Sequence, residues 1–207
     1  MITDKPVLFV HVPKTAGTSV LKVLTETQSW KITPKIPIDS NMNHSPLFVL
    51  ERYNILNNFF VFSIVRNPFT RAFSYYQHFK RYHLSDISFE QFLDHVRRKK
   101  QAVFEFLDHV SIKKNTNATP FIVYPQSFFL FDMNGKMSLD KLYRFEHIEE
   151  FETDFNIKMP NLNVGNYSLD EYLNNYTSTT IDLVRHIYLE DFVNLNYSTD
   201  FQQEVGL

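Results

Sequence analysis

The side chains best suited to chemistry concentrate in HVPKTAGTS, His11 to Ser19, where a lysine, a glycine and three hydroxyl residues fall within six positions. Val7 to Val10 before it reads as a buried strand, and Val20, Leu21, Val23 and Leu24 after it recur at helical spacing. Residues 14 to 19 therefore make a strand-to-helix turn. Such a turn is an anion site, because the first N–H groups of a helix lack intrahelical partners and the helix dipole is positive at that end. Lys14 adds a mobile positive charge. Gly17, one of only four glycines, is placed to let the backbone curl closely around a phosphate or sulfate. A nucleotide-hydrolysing P-loop, G-x-x-x-x-G-K-[ST], has its lysine directly after the second glycine, whereas here the lysine precedes the glycine.

A second cluster is SIVRNPFTRAFSYY, Ser63 to Tyr76. Phe59 to Val65 is apolar and β-prone apart from Ser63. Asn67 can cap a helix, Pro68 suits its first position, and the helical pattern runs on through Tyr76. Arg66 then stands at the carboxyl end of a strand. Ligands of open α/β sheets bind outside those ends, so both segments are expected to bring anion-binding groups to one crevice.

The order Pro-Lys-Thr-Ala-Gly-Thr-Ser resembles the 5′-phosphosulfate loop of sulfotransferases that use 3′-phosphoadenosine-5′-phosphosulfate (PAPS), especially the branch that sulfates carbohydrate. The second segment is similar to that family's R-[ND]-P-x-x-R-x-x-S pattern. The resemblance implies an α/β, P-loop-like, three-layer fold with a central parallel sheet flanked by helices. It implies that Lys14, Thr15, Ala16, Gly17, Thr18 and Ser19 bind the 5′-phosphosulfate, and that Arg66 and Ser74 bind the 3′-phosphate. Arg71 also matches the pattern, either as a ligand or as an ion pair holding its helix to the sheet. The implied product is adenosine 3′,5′-bisphosphate (PAP), and the implied acceptor is a hydroxyl on a sugar or glycan.

Sulfuryl transfer needs a base to take the acceptor's proton, and histidine titrates in the useful range. In relatives of this kind a histidine between the two anion motifs has that role, and His44 is the only one there among the eight of the chain. Lys14 is expected to stabilise the leaving phosphate oxygen. His11 is the alternative base, although its place at a strand end suits a structural role; His78, four residues after Ser74, shares that residue's helix face. His83, His95, His109, His147 and His186 read as surface or core polar residues. Metal binding finds no support in the sequence, which has no cysteine and no His-x-x-x-His or Glu-x-x-His spacing.

The remaining features bound the answer. A chain of 207 residues, 43% hydrophobic, with no linker, repeat or low-complexity stretch, reads as one domain over residues 1–207. Its 21 phenylalanines are expected mainly in the core, Phe128, Phe129 and Phe131 included. With 21 basic against 23 acidic residues there is no general basic field for nucleic acid. Arg97 to Lys100 is expected to close a helix, where cations favour the dipole. No run approaches the roughly 18 apolar residues of a membrane span, and the first residues lack a signal pattern, so the chain is expected to be cytosolic. Five N-x-[ST] sequons begin at Asn43, Asn117, Asn166, Asn175 and Asn196, and a glycan on Asn43 would crowd His44.

Ser88 to Asn117 reads as a helical insert opened by a Ser88/Gln91 capping box, and Lys113 to Pro120 as an exposed loop. Leu142 to Glu146 reads as a strand leading into a helix, Ser168 with Glu171 and Thr179 with Asp182 as helix starts, and Tyr188, Asp191 and Phe192 as packing and capping residues. The expected function is PAPS-dependent O-sulfotransfer. The alternatives are a small-molecule kinase, which would need magnesium and a carboxylate to hold it, and a non-catalytic anion-binding module.

Overall fold

A computed structural model describes residues 3–26, 44–52, 54, 56–83, 86–107, 123–160 and 167–205. They form two compact units, one within Met1–Asn67 and Gln126–Val164, the other within Pro68–Pro125 and Gly165–Leu207. The proposed loop Lys113 to Pro120 and the sequons at Asn43, Asn117 and Asn166 lie outside the described residues.

The first unit is built on a parallel sheet in the order β1 (Val7–Val10), β2 (Phe60–Val65), β3 (Lys141–Arg144). Val7 pairs with Phe60 and Val10 with Ser63, while Phe62 pairs with Lys141 and Val65 with Arg144. On one face Val7, Phe62, Ile64 and Tyr143 meet Val20 and Leu24 of α1 (Gly17–Glu26) and Phe151 and Phe155 of α6 (Ile148–Phe155). The Phe62 ring stacks on Phe151 at 5.5 Å and lies 5.1 Å from Phe155. The opposite face is buried as well, at Leu8, Val10, Val61, Ser63 and Val65. A parallel sheet covered on both faces explains why these strands read as continuous apolar runs. The one polar break, Ser63, donates its hydroxyl to the Val10 carbonyl at 2.7 Å. Short helices α2 (Leu47–Glu51) and α5 (Ser127–Leu130) complete the unit, with Phe48 and Phe128 edge to face at 5.6 Å.

The second unit is helical: α3 (Pro68–His83), α4 (Phe89–Leu107), α7 (Leu169–Asn174), α8 (Ser178–Ile187), α9 (Leu189–Asn194) and α10 (Phe201–Val205). Pro68 opens α3, where its missing N–H costs nothing. The Ser88/Gln91 box forms in both directions, and Ser168 accepts from the Glu171 N–H. α8 starts two residues earlier than its Thr179/Asp182 pattern suggests, because Thr177 and Thr180 make the reciprocal box and Asp182 instead pairs with Arg185 within the helix. The core is aromatic: Phe73 meets Phe89 edge to face at 5.4 Å, and Tyr176 stacks on Phe201 at 4.5 Å.

Arg97 to Lys100 does not end α4, which continues to Leu107. Three of its cations meet carboxylates, and one of those cations also meets the carboxyl end of α8 rather than that of its own helix. Asp94 pairs with Arg97 and Arg98, one turn away, and Lys100 reaches Glu190 and the Ile187 carbonyl. Among the described residues no helix is long and apolar enough to cross a membrane.

Candidate active site

The turn after β1 departs from ordinary backbone. Five described non-glycine residues have positive φ, and three of them are asparagines, which tolerate the left-handed region. The other two are Lys14, at 69°, and Ala16, at 68°. Each costs about 1–2 kcal/mol in that conformation, and strain of this kind persists where a site requires it. Two left-handed residues on either side of Thr15 curl the chain into the type of concavity that gathers N–H groups around an anion. The Ser19 and Val20 N–H groups both donate to the Ala16 carbonyl, so those of Gly17 and Thr18 lie ahead of the first intrahelical bonds.

The individual side chains have distinct places in this turn. The Thr15 hydroxyl is fully buried and donates to the Val12 carbonyl at 2.8 Å, which fixes the turn. Thr18 is exposed, Ser19 buried, and Lys14 and Ala16 half-buried.

Gly17 is not where the backbone curls, since the positive φ values fall at Lys14 and Ala16. Its lack of a side chain serves another purpose. A Cβ there would stand 1.7 Å from His11 Nε2 and 2.0 Å from Cδ2, so the imidazole fills the space. The His11 ring is packed between Phe9, stacked at 5.4 Å, and His44, at 4.1 Å. Gly17→Ala therefore sets a methyl group against a ring with little room to move, and a destabilisation of about 1–3 kcal/mol is expected. Urea unfolding checks this, with His11→Ala/Gly17→Ala recovering much of the loss; a Gly17→Ala curve superimposed on that of the wild type contradicts the packing argument.

His44 adjoins this turn, with Nδ1 3.0 Å from the His11 carbonyl oxygen. A carbonyl only accepts, so Nδ1 carries a proton, and in the neutral ring Nε2 is the acceptor nitrogen.

Arg66 follows β2 directly, at the carboxyl end of the sheet. Its backbone N–H donates to Gln126 Oε1 at 2.8 Å, and Gln126 Nε2 donates to its carbonyl at 2.7 Å. Its guanidinium carbon lies 4.4 Å from the Phe145 ring centre. Beside it the Asn67 N–H donates to Glu146 Oε1 at 2.7 Å. Gln126 carries no motif in the sequence, and Phe145 and Glu146 read there only as part of the strand-to-helix segment Leu142 to Glu146. Ser74 is half-buried in α3, in the second unit.

Arg71 is fully buried and paired with Asp191 at 3.5 Å, so it makes an ion pair as one of its two readings has it, but to helix α9 where that reading named the sheet. The Tyr124 carbonyl accepts from both terminal guanidinium nitrogens, and Tyr75 and Tyr188 lie beside the charge at 5.3 and 5.5 Å. Burial pushes the Tyr75 hydroxyl up to about 12, although the Arg71 charge pulls the other way, and burial raises Tyr188 as well. Both phenols stay neutral near pH 7, and the Asp191 carboxylate supplies a negative charge beside the guanidinium.

Among the described residues no group of three metal-ligating side chains comes together. Neither curated proteins nor solved structures match the chain. A match to the Sulfotransferase family model runs over residues 1–198, nearly the full length, and by that extent the chain belongs to this family.

Proposed function

We propose that the chain transfers the sulfuryl group of PAPS to a carbohydrate hydroxyl, with PAP as the second product, and that residues 1–207 act as one catalytic domain. The observation that carries the proposal is the strained turn: Lys14 and Ala16 held left-handed immediately ahead of α1, at the carboxyl end of β1. Family membership supports sulfuryl transfer, and the Pro-Lys-Thr-Ala-Gly-Thr-Ser order supports the acceptor class.

In this reading the N–H groups of Thr15, Ala16, Gly17 and Thr18 with the Ser19 hydroxyl bind the 5′-phosphosulfate, and Arg66 and Ser74 bind the 3′-phosphate. His44 Nε2 takes the acceptor proton as the oxygen attacks sulfur. The sulfur–oxygen bond to the 5′-phosphate breaks as the new one forms, and Lys14 stabilises the charge that develops on the departing oxygen. As in phosphoryl transfer, the protein's work is in-line positioning and electrostatics.

Release of PAP from PAPS in the presence of a panel of free sugars and glycans tests the proposal. Lys14→Ala is expected to lower kcat by about 10²- to 10³-fold, because it removes a charge that acts mainly in the transition state. Alanine accepts the left-handed conformation about as well as lysine, so folding should change little. Turnover undiminished in Lys14→Ala contradicts the assigned role.

A further inference from the structure

We infer that Gln126 is a positioning residue that presets Arg66 for the 3′-phosphate and thereby sets the discrimination between 3′-phosphorylated nucleotides and those lacking that group; the inference rests on the assignment of Arg66 proposed above. Gln126 is fully buried and lies 60 residues from Arg66 in sequence, yet its amide makes both hydrogen bonds that a neighbouring peptide group would make to Arg66, at 2.8 and 2.7 Å. It thus fixes the backbone just beyond β2, where the ladder with β3 has ended at Val65. The Phe145 face beneath the guanidinium, at 4.4 Å, restrains the far end of the same side chain. One buried amide holds the root of Arg66 and one ring supports its tip. A guanidinium preset in this way loses less conformational freedom on meeting a phosphate than one on a free strand end.

A residue acting through Arg66 affects only ligands that Arg66 touches. Calorimetric dissociation constants for PAP and for AMP in the wild type, Gln126→Met, Arg66→Ala and the double variant test this. Gln126→Met keeps length and apolar volume while removing both hydrogen bonds. Gln126→Met is expected to weaken PAP about tenfold and AMP less than about twofold, and to leave the PAP-to-AMP ratio unchanged once Arg66 is alanine. Equal losses for the two nucleotides, or an effect of Gln126→Met that persists in the Arg66→Ala background, overturn the inference. Should Gln126→Met fail to fold, Phe145→Leu in the same cycle is expected to lower the ratio in the same direction, and an unaltered ratio there overturns it instead. If Arg66→Ala leaves the ratio at its wild-type value, the assignment of Arg66 and the inference fall together. If Arg66→Ala lowers the ratio and Gln126→Met does not, the inference alone falls.

Discussion

His44→Ala is expected to lose about 10²- to 10⁴-fold in kcat with PAPS and a carbohydrate acceptor, the range that a positioned general base supplies. The tautomer of the neutral ring selects the accepting nitrogen. Nδ1, 3.0 Å from the His11 carbonyl, holds the ring proton, so Nε2 is the nitrogen able to accept one. Substitution by alanine removes that acceptor, and it also removes the acid limb that a histidine base imposes on the pH profile of kcat/KM. PAP binding provides the control, since the residues proposed to bind its phosphates do not include His44 and the dissociation constant should stay near the wild-type value. His44→Asn, which can keep the hydrogen bond to His11 without a titratable nitrogen, is expected to be as slow as alanine. A variant with normal turnover and an intact acid limb removes His44 from the mechanism and leaves His11, whose ring lies 4.1 Å away, as the residue to test next.

Asp191→Asn is expected to cost about 3–5 kcal/mol of stability and to lower the melting temperature by about 10 °C or more. The pair it breaks is almost fully enclosed, with side-chain exposures of 1% for Arg71 and 0% for Asp191. An isosteric amide takes away the Asp191 carboxylate charge while the Tyr124 carbonyl and two aromatic neighbours stay beside the guanidinium. Raised hydroxyl pKa values prevent Tyr75 and Tyr188 from supplying a negative charge near neutrality. Replacing both partners by apolar residues, Arg71→Met/Asp191→Leu, is expected to be milder than Asp191→Asn alone, because no uncompensated charge remains buried. Thermal melts followed by circular dichroism decide the matter, and a single variant melting within about a degree of the wild type contradicts it.

Local signals proved legible in the sequence. The apolar run Val7–Val10, Pro68 at a helix start and the Ser88/Gln91 and Ser168/Glu171 caps lie where their chemistry put them. What escaped sequence reading depends on distance or on competition. Gln126 and Glu146 reach the Arg66 and Asn67 N–H groups across 60 and 79 residues, and a single amide or carboxylate has no periodicity to betray such a partnership. Gly17 was read as the bend because glycine adopts positive φ at least cost, but the strain resides in Lys14 and Ala16, and Gly17 is small because the His11 ring needs its space. Two neighbouring hydroxyls competed to start α8, and Thr177 prevailed because Thr180 could return its hydrogen bond. Four consecutive cations suggested a helix end after Lys100, yet Asp94 pairs with Arg97 and Arg98, Glu190 of α9 pairs with Lys100, and the helix runs on to Leu107.

A thermal shift with PAP, AMP and magnesium ATP tests most directly whether this strained turn and Arg66 bind a nucleotide phosphorylated at both its 3′ and 5′ positions, as proposed. A ligand that binds only the folded protein raises the melting temperature with its concentration, by roughly 2.7 kcal/mol of stability at a hundred times its dissociation constant. Selective stabilisation by PAP, lost in Arg66→Ala, is the predicted result. No shift with PAP and a clear one with magnesium ATP would contradict the account and point to phosphoryl transfer in its place.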